Sequence, residues 1–425
     1  MEVREARAEY LAKPGVKQTE VGEIPEDWTV QSINSIAQVK GGKRLPLGWF
    51  VTDKITAHPY LRVTDMRPGI VELGDIKYVP EGAFPPIQNY RIFVDDIFIS
   101  VAGSLGIVGK IPPQIDGANL TENANRITSI QCIRDYLLYY LLSDKIQSAI
   151  EGERTVGAQP KLALNRIEAF QVALPPTLQE QQAIADALGD ADALIESLEH
   201  LLAKKRQIKQ GTMQALLTGQ QRLPGFEGAW KSTSLGSIGD FLKGAGISRD
   251  EAQSGDLPCI RYGEIYTSHH DIIRCFRSYI SRGVAAKAIR LKRGDILFAG
   301  SGETKEEIGK CVALIEDIEA YAGGDIVILR PQGTDPTFLG YALNTSDVNR
   351  QKASRGQGDA VVHISATALA QVVIQLPEER EQTAIATVLT DMDAEITALD
   401  AKLAKARALK QGMMQTLLTG RIRLV

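Results

Sequence analysis

At 425 residues, 44% apolar and 24% charged, the chain has an ordinary globular composition with room for two or three domains. A net charge of −4 and a pI near 5.9 exclude a wholly basic nucleic-acid binder but leave room for a local basic patch. No apolar run approaches ~18 residues, the first residues are too charged for a secretory signal, and Cys132, Cys259, Cys275 and Cys311 form no CxxC pair. The expectation is a cytoplasmic protein with no membrane span, zinc site or disulfide framework.

Residues 1–27 read as a charged lead-in, with a helical turn or two over 2–11 ended by Pro14 and Gly15. A first globule follows over 28–176. Its β-branched stretches at 60–65, 69–79, 91–103 and 107–111, punctuated by Gly and Pro, predict strands. A near-3.6 apolar period predicts a helix over 135–150, and a short apolar run at 163–175 leads out.

Residues 177–223 predict one long helix. Ile184, Leu188, Ala191, Ile195, Leu198 and Leu202 keep the alternating four-and-three spacing of a coiled-coil seam. Beyond Leu202 the stripe meets Lys205 and drifts toward Ile208, so looser contact is expected there. Thr177 with Glu180 makes a capping-box pattern, and Thr218–Gly219 a C-terminal stop. At about 41 residues such a helix is ~60 Å long and needs a partner.

The second globule, 224–377, repeats the plan of the first with different loops. Trp230 stands where Trp28 stood, PCIRYGE (258–264) answers PYLRVTD (59–65), RGDILFAGSG (293–302) answers VDDIFISVAG (94–103), and IGK at 308–310 answers VGK at 108–110. Residues 378–425 repeat the helix: 26 of the 44 positions from Glu180 to Leu223 recur between Glu381 and Leu424 without a gap. The second seam is Ile385, Leu389, Met392, Ile396, Leu399 and Leu403. A repeat of this kind decides the fold.

Each copy is acidic in its first half (Glu180, Asp192; Glu381, Asp393) and basic in its second (Lys205, Arg206, Lys209; Lys405, Arg407, Lys410), so an antiparallel pair sets acid against base. Gly211 and Gly412, matched in the copies, each cost ~1 kcal/mol inside a helix, which suggests a close backbone approach or a bend. The fold class expected is α+β: two mixed α/β globules separated by two long antiparallel helices and related by a pseudo-twofold axis.

The phrase KQTEVGEIPEDW (17–28), the two helix leads LPPTLQEQQAIADAL (174–188) and LPEEREQTAIATVL (376–389), and the twice-used LLTG exit stand in that order along the chain. Together they resemble the specificity subunits of Type I restriction-modification systems, over both repeats. The resemblance implies two target-recognition domains, each reading one half of an asymmetric split sequence in double-stranded DNA. It also implies helices that act as a ruler and dock two methyltransferase subunits, with restriction subunits joining through those. S-adenosylmethionine, ATP and Mg are then expected in the partners, with no cofactor, metal or catalytic residue in this chain.

Side chains on predicted loops that can reach bases or phosphates are Lys43, Arg44, Arg62, Arg67, Arg126 and Gln159 in the first globule. In the second they are Lys243, Arg249, Arg261, Tyr262, His269, Arg355 and Gln357. Arginine suits guanine, glutamine suits adenine, and lysine mostly holds phosphate. Arg62 and Arg261 recur at one place in both halves and lead the set, with ion pairs to Asp65 and Glu264 as the structural alternative. The glycine-bearing loops 39–50 and 241–255 also correspond and suit close approach to a phosphate backbone. Two rival readings stand beside this one. Asp295, Glu303 and Lys305 imitate the Asp, Glu-x-Lys set of a metal-dependent nuclease, although the first half keeps only Asp96. A coiled-coil scaffold that binds no DNA is the other.

Overall fold

The computed structural model describes residues 15–152, 161–358 and 361–424, so the turns expected at 2–11 and the candidate Gln159 lie outside the described residues. Two helices dominate, α1 (Leu178–Leu217) and α2 (Glu379–Leu417). Their ends follow local rules. The Glu180 N–H donates to Thr177 Oγ1 at 3.2 Å, and Gly219 and Gly420 stop the helices at φ of 70° and 68°, a region that favours glycine. Half of the capping box is diverted, because Arg423 takes the Glu180 carboxylate. The close approach expected at Gly211 and Gly412 is corrected: a Cβ on either would meet nothing within 4 Å, and both are exposed on unbroken helices.

The chain divides into two compact units, residues up to Leu198 together with those from Lys402, and Glu199–Ala401. Each unit therefore joins one globule to the first half of the helix that follows it and the second half of the other helix. In the first unit Lys410 meets Asp192 at 2.5 Å and Arg423 meets Glu180 at 2.8 Å. In the second, Lys209 meets Asp393 and Arg222 meets Glu381, both at 2.5 Å. Within each unit, moving up one helix means moving down the other, so the segments are antiparallel as the charge halves require. The two sets are the same four matched positions with the copies exchanged.

Each set is extended by the same aromatic groups. Tyr139 donates to Asp192 at 2.9 Å and Tyr341 to Asp393 at 2.6 Å. Lys410 and Lys209 lie 5.4 and 5.3 Å from the centres of those rings. Arg423 and Arg222 sit over Trp28 and Trp230 at 5.9 and 5.6 Å, cation–π contacts worth ~0.5–2 kcal/mol depending on burial. Burial, seconded by the aspartate, pushes the Tyr139 hydroxyl well above its ordinary pKa and keeps it a donor; Tyr341 responds to the same causes.

The seam residues divide by place. Ile184 and Leu188 are fully buried, but in the core of the first globule, beside Leu417 and Leu418. Ile385 and Leu389 join the second core with Leu216 and Leu217. These positions therefore clamp helix to globule, which corrects the reading of them as a purely helix-to-helix seam. Leu202, Leu399 and Leu403 are buried, Ile195, Leu198 and Ile396 half-buried, and Ile208 is 44% exposed, matching the drift expected past Lys205.

Each globule carries two four-stranded sheets. In the first, the strands are β1 (Gln38–Gly41), β2 (Pro59–Leu61), β3 (Lys77–Tyr78), β4 (Arg91–Ile92), β5 (Ile97–Ser100), β6 (Val108–Lys110), β7 (Ala118–Leu120) and β8 (Ala124–Thr128). They order as β6-β5-β8-β1 and β3-β2-β7-β4. In the second, β9 (Gly239–Lys243), β10 (Leu257–Ile260), β11 (Ser278–Ile280), β12 (Ile289–Arg290), β13 (Ile296–Ala299), β14 (Cys311–Ala313), β15 (Tyr321–Ala322) and β16 (Ile326–Pro331) order as β14-β13-β16-β9 and β11-β10-β15-β12. Every strand n of the first globule is thus matched by strand n + 8, including the parallel pairs β2·β7 and β10·β15.

Three expectations shift at this level. The helix read over 135–150 is two helices, Arg134–Leu142 and Asp144–Gly152, parted where Ser143 turns extended and its hydroxyl donates to Tyr140 O. The run 91–103 is two strands, because Asp96 accepts from the Phe93 N–H and folds a turn between them. The match of IGK to VGK is three residues out of register: Ile97 faces Lys110, whereas its counterpart Ile296 faces Ala313.

Candidate nucleic-acid interface

One piece of backbone recurs where the two sheets of each globule meet. Past β1 the chain runs against the turn between β7 and β8, with Gly42 N donating to Ala124 O (3.0 Å) and Lys43 N to Leu120 O (2.8 Å). A Cβ on Gly42 would lie 2.0 Å from Thr121 O, so only glycine passes. Past β9, Gly244 N donates to Ile326 O (2.8 Å), and a Cβ there would lie 1.9 Å from Gly323 O. Gly42 and Gly244 therefore serve an approach to the protein's own turn, which replaces the approach to phosphate expected of these loops. What they do for a ligand is indirect: they fix the residues that come next at the mouth of a groove.

In the first unit that groove holds about 490 Å³ and is lined by Lys43, Arg44, Glu122, Asn125 and Lys161. Arg44 is 3.1 Å from Glu122, and Lys43 lies 5.8 Å from the centre of the Tyr90 ring. A cleft of the second unit, 360 Å³, borders the corresponding turn and is lined by Ile247, Arg249, Arg261, Tyr262, Gly324 and Asp325. Cationic side chains thus ring the same turn in both halves, with a flat Tyr262 face added in the second. Exposed guanidinium and ammonium groups set around a shallow groove can take phosphate and base-edge acceptors.

Other predicted residues lie elsewhere. The matched pair separates: Arg62 donates to Asp65 at 3.0 and 2.6 Å and to Asp75 at 3.1 Å beside a shallow cleft with Arg67 and Glu72, whereas the Arg261 N–H donates to the Glu264 carboxylate at 3.3 Å and its side chain lines the cleft with Tyr262. Arg67 is held by Glu72 and by the Thr64 and Met66 carbonyls. Arg126 points inward to Asp96 at 3.7 Å and donates to Arg91 O. Arg355 donates to Gln351 O at 2.9 Å, Gln357 is exposed, and Lys243 is exposed at the end of β9. His269 is only 2% exposed, and burial holds its imidazole below the ordinary pKa, so as folded it cannot meet a base edge.

The nuclease arrangement is overturned. Asp295 is fully buried and takes two 2.8 Å bonds from Arg330 and one from the Lys292 N–H, while Glu303 and Lys305 stand on an exposed loop. Asp96 is buried at the same place in the first half, but its arginine, Arg126, comes from the position matched to Ile328, two residues before that of Arg330. What the two aspartates share is the bond from the N–H three residues back, Phe93 or Lys292, which folds the β4–β5 turn and its β12–β13 counterpart. No cluster of three or more His, Cys, Asp or Glu able to hold a metal ion exists among the described residues, and no described helix is long and apolar enough to cross a membrane.

Sequence reasoning missed Lys161, Glu122 and Asp325 at the grooves, whose place depends on the β7–β8 and β15–β16 turns. It also passed over Arg222 and Arg423. Their identity at matched positions of the repeat was the available signal.

The chain is similar to a protein of Methanocaldococcus jannaschii assigned as the type I restriction enzyme MjaX specificity subunit, 25% identical over 98% of both chains. It is likewise 25% identical, over 94% of both, to the type I restriction enzyme MjaVIII specificity subunit of that organism. In fold it resembles the crystal structure of a Type I restriction-modification system S subunit from M. genitalium, with a TM-score of 0.58 and 15% identity over 92% of this chain and 96% of that one. The family described as Type I restriction modification DNA specificity domain matches residues 25–210 and again 227–406. With two such matches spanning both halves, the chain belongs to the Type I restriction-modification DNA specificity family.

Proposed function

We propose that this chain recognises a split, asymmetric sequence in duplex DNA, each globule reading one half through the groove beside its close-packed glycine. One observation carries this: the same backbone cradle is built twice, with Lys43 and Arg44 on one and Arg249, Arg261 and Tyr262 on the other. One scaffold with two sets of reading groups is what an unequal pair of half-sites needs. The two long helices set the gap between half-sites and dock two methyltransferase subunits, through which restriction subunits join. S-adenosylmethionine, ATP and Mg belong to those partners. The chain itself does no chemistry; its binding energy locates a methyltransferase whose target adenine must be flipped out of the stack to be reached.

The test is sequence selection with the chain reconstituted with its methyltransferase subunits. Lys43→Ala/Arg44→Ala relaxes or weakens one half-site only, and Arg249→Ala/Arg261→Ala the other, with the salt slope falling by ~1 for each phosphate interaction removed. Loss of preference at both half-sites from either pair would reject the assignment. Four residues inserted after Leu202 lengthen α1 by ~6 Å and widen the selected gap by about one or two base pairs; an unchanged gap removes the ruler.

A further inference from the structure

The turn that follows the basic groove of the first unit ends in bare apolar side chains. Leu47 is 105% exposed, Phe50 81% and Ile55 77%, on a segment with Lys40, Lys43, Arg44 and Lys54 against one acid, Asp53. Lys77 takes that acid and Glu122 pairs with Arg44, so Lys40, Lys43 and Lys54 set the sign of the segment.

The tip is held firmly. Trp49 N donates to Pro46 O at 3.1 Å across a turn in which Gly48 has φ of 83°. Leu45 and Val51 pack into a small core with Tyr60, Val79, Ala83 and Ile87, and the indole of Trp49 lies against Gly82, where a Cβ would come within 2.6 Å. Thr52 and Tyr78 then exchange backbone bonds of 3.0 and 2.9 Å. Leu47 and Phe50 are thus presented outward on a turn whose backbone is already fixed. The corresponding stretch of the second unit, 245–253, carries no exposed large apolar side chain.

An apolar tip set beside phosphate-seeking cations needs an apolar feature on the nucleic acid. An intact duplex offers one in its major groove, the 5-methyl of thymine. The alternative, insertion between base pairs, costs a few kcal/mol of unstacking per step, so contact with the methyl is the less costly use of the same side chains. We infer that Leu47 and Phe50 are specificity-determining residues that read thymine methyl groups in the half-site of the first globule. This rests on the recognition reading above.

The experiment uses the full chain with its methyltransferase subunits and the selected target. The first half-site is identified as the one relaxed by Lys43→Ala/Arg44→Ala, and each of its thymines is replaced singly by deoxyuridine. In the wild-type complex at least one replacement weakens binding about fourfold, the worth of ~0.8 kcal/mol for one buried methyl-sized group; in Leu47→Ala/Phe50→Ala the same replacement changes nothing. Both side chains are solvent-facing, so the variant keeps its fold. A first half-site without thymine on either strand, deoxyuridine that is silent in the wild type, or a step whose 2-aminopurine fluorescence rises with wild type alone would each overturn the inference. So would a variant that no longer assembles with methyltransferase. If the wild-type complex shows no sequence preference at all, the recognition reading itself has failed, which is a separate result.

Discussion

The helix-end clusters and the groove loops are duplicated to very different degrees. Asp192 with Tyr139 and Lys410, and Asp393 with Tyr341 and Lys209, are one arrangement made twice, down to ring distances of 5.4 and 5.3 Å. The loops after β1 and β9 share a glycine and little beyond it: one continues into Lys43, Arg44 and an apolar tip, the other into Arg249 and an acidic 3-10 turn at Asp250–Ala252. Positions that build the frame answer to a partner inside the protein. Positions that read answer to something outside it.

That contrast can be broken most directly at the buried aspartates, which belong to the frame yet differ in detail. Asp295 has both oxygens bonded by Arg330, while Asp96 has Arg126 at 3.7 Å. Arg330→Ala leaves a buried carboxylate uncompensated and is expected to cost ~3–5 kcal/mol, whereas Arg126→Ala costs ~1–3 kcal/mol. Urea unfolding followed for each transition measures both, and equal losses would erase the distinction.

Packing gives the next effect. Leu389→Ala, at a side chain with no exposure inside the second core, should cost ~2–5 kcal/mol, and half-buried Ile396→Ala markedly less. A similar loss at both would mean that helix-to-helix contact matters as much as the clamp to the globule.

Gly211→Ala and Gly412→Ala work in the opposite direction. With nothing near either Cβ position, each alanine should stabilise the chain by ~1 kcal/mol and raise Tm in a thermal scan. A drop in Tm would restore a packing role for these glycines.

The smallest expected shift is at Asp271, whose counterpart in the first half is Gly69: both carbonyls accept from the strand that pairs with β5 or β13, and both residues have positive φ, 49° and 86°. Burial pushes the Asp271 carboxyl above its ordinary value, opposed by the Asn344 hydrogen bond and Lys209 and seconded by Asp393. A carboxyl raised on folding contributes stability that is present below about pH 3.9 and lost as pH rises through its folded value. Asp271→Asn, which keeps the left-handed tolerance, should therefore raise the urea midpoint slightly at pH 7 and lose that advantage toward about pH 4. An advantage equal at both pH values would exclude the carboxyl as its source.

The repeat, the two long helices, their glycine stops and their opposed direction were legible because period, end chemistry and charge order are written locally and twice. Strands were legible only in part: β1, β7 and β8 fall outside the stretches read at 60–65, 69–79, 91–103 and 107–111, and a tripeptide likeness misplaced β14 by three residues. The loop before it, 300–310, is four residues longer than its counterpart 101–107, and strand pairing, which sequence does not display, sets the register. At the grooves Lys43, Arg44, Arg249, Arg261 and Tyr262 were found from loop position and type. The carboxylate-bound Arg62 and Arg126 and the buried His269 were not distinguishable from them, since a cation on a loop looks alike in sequence whether its carboxylate is three residues away or thirty. Their partners are Asp65, Asp96 and the surroundings of a closed core.

The guanidinium that neutralises Glu180 comes from the second copy of the duplication, and the one that neutralises Glu381 comes from the first. Such crossing explains why the parts of one duplication have drifted unequally. A change in one copy is felt at a junction where the other copy supplies the complement, so neither can wander without meeting its sibling. The helices are kept alike by being each other's environment.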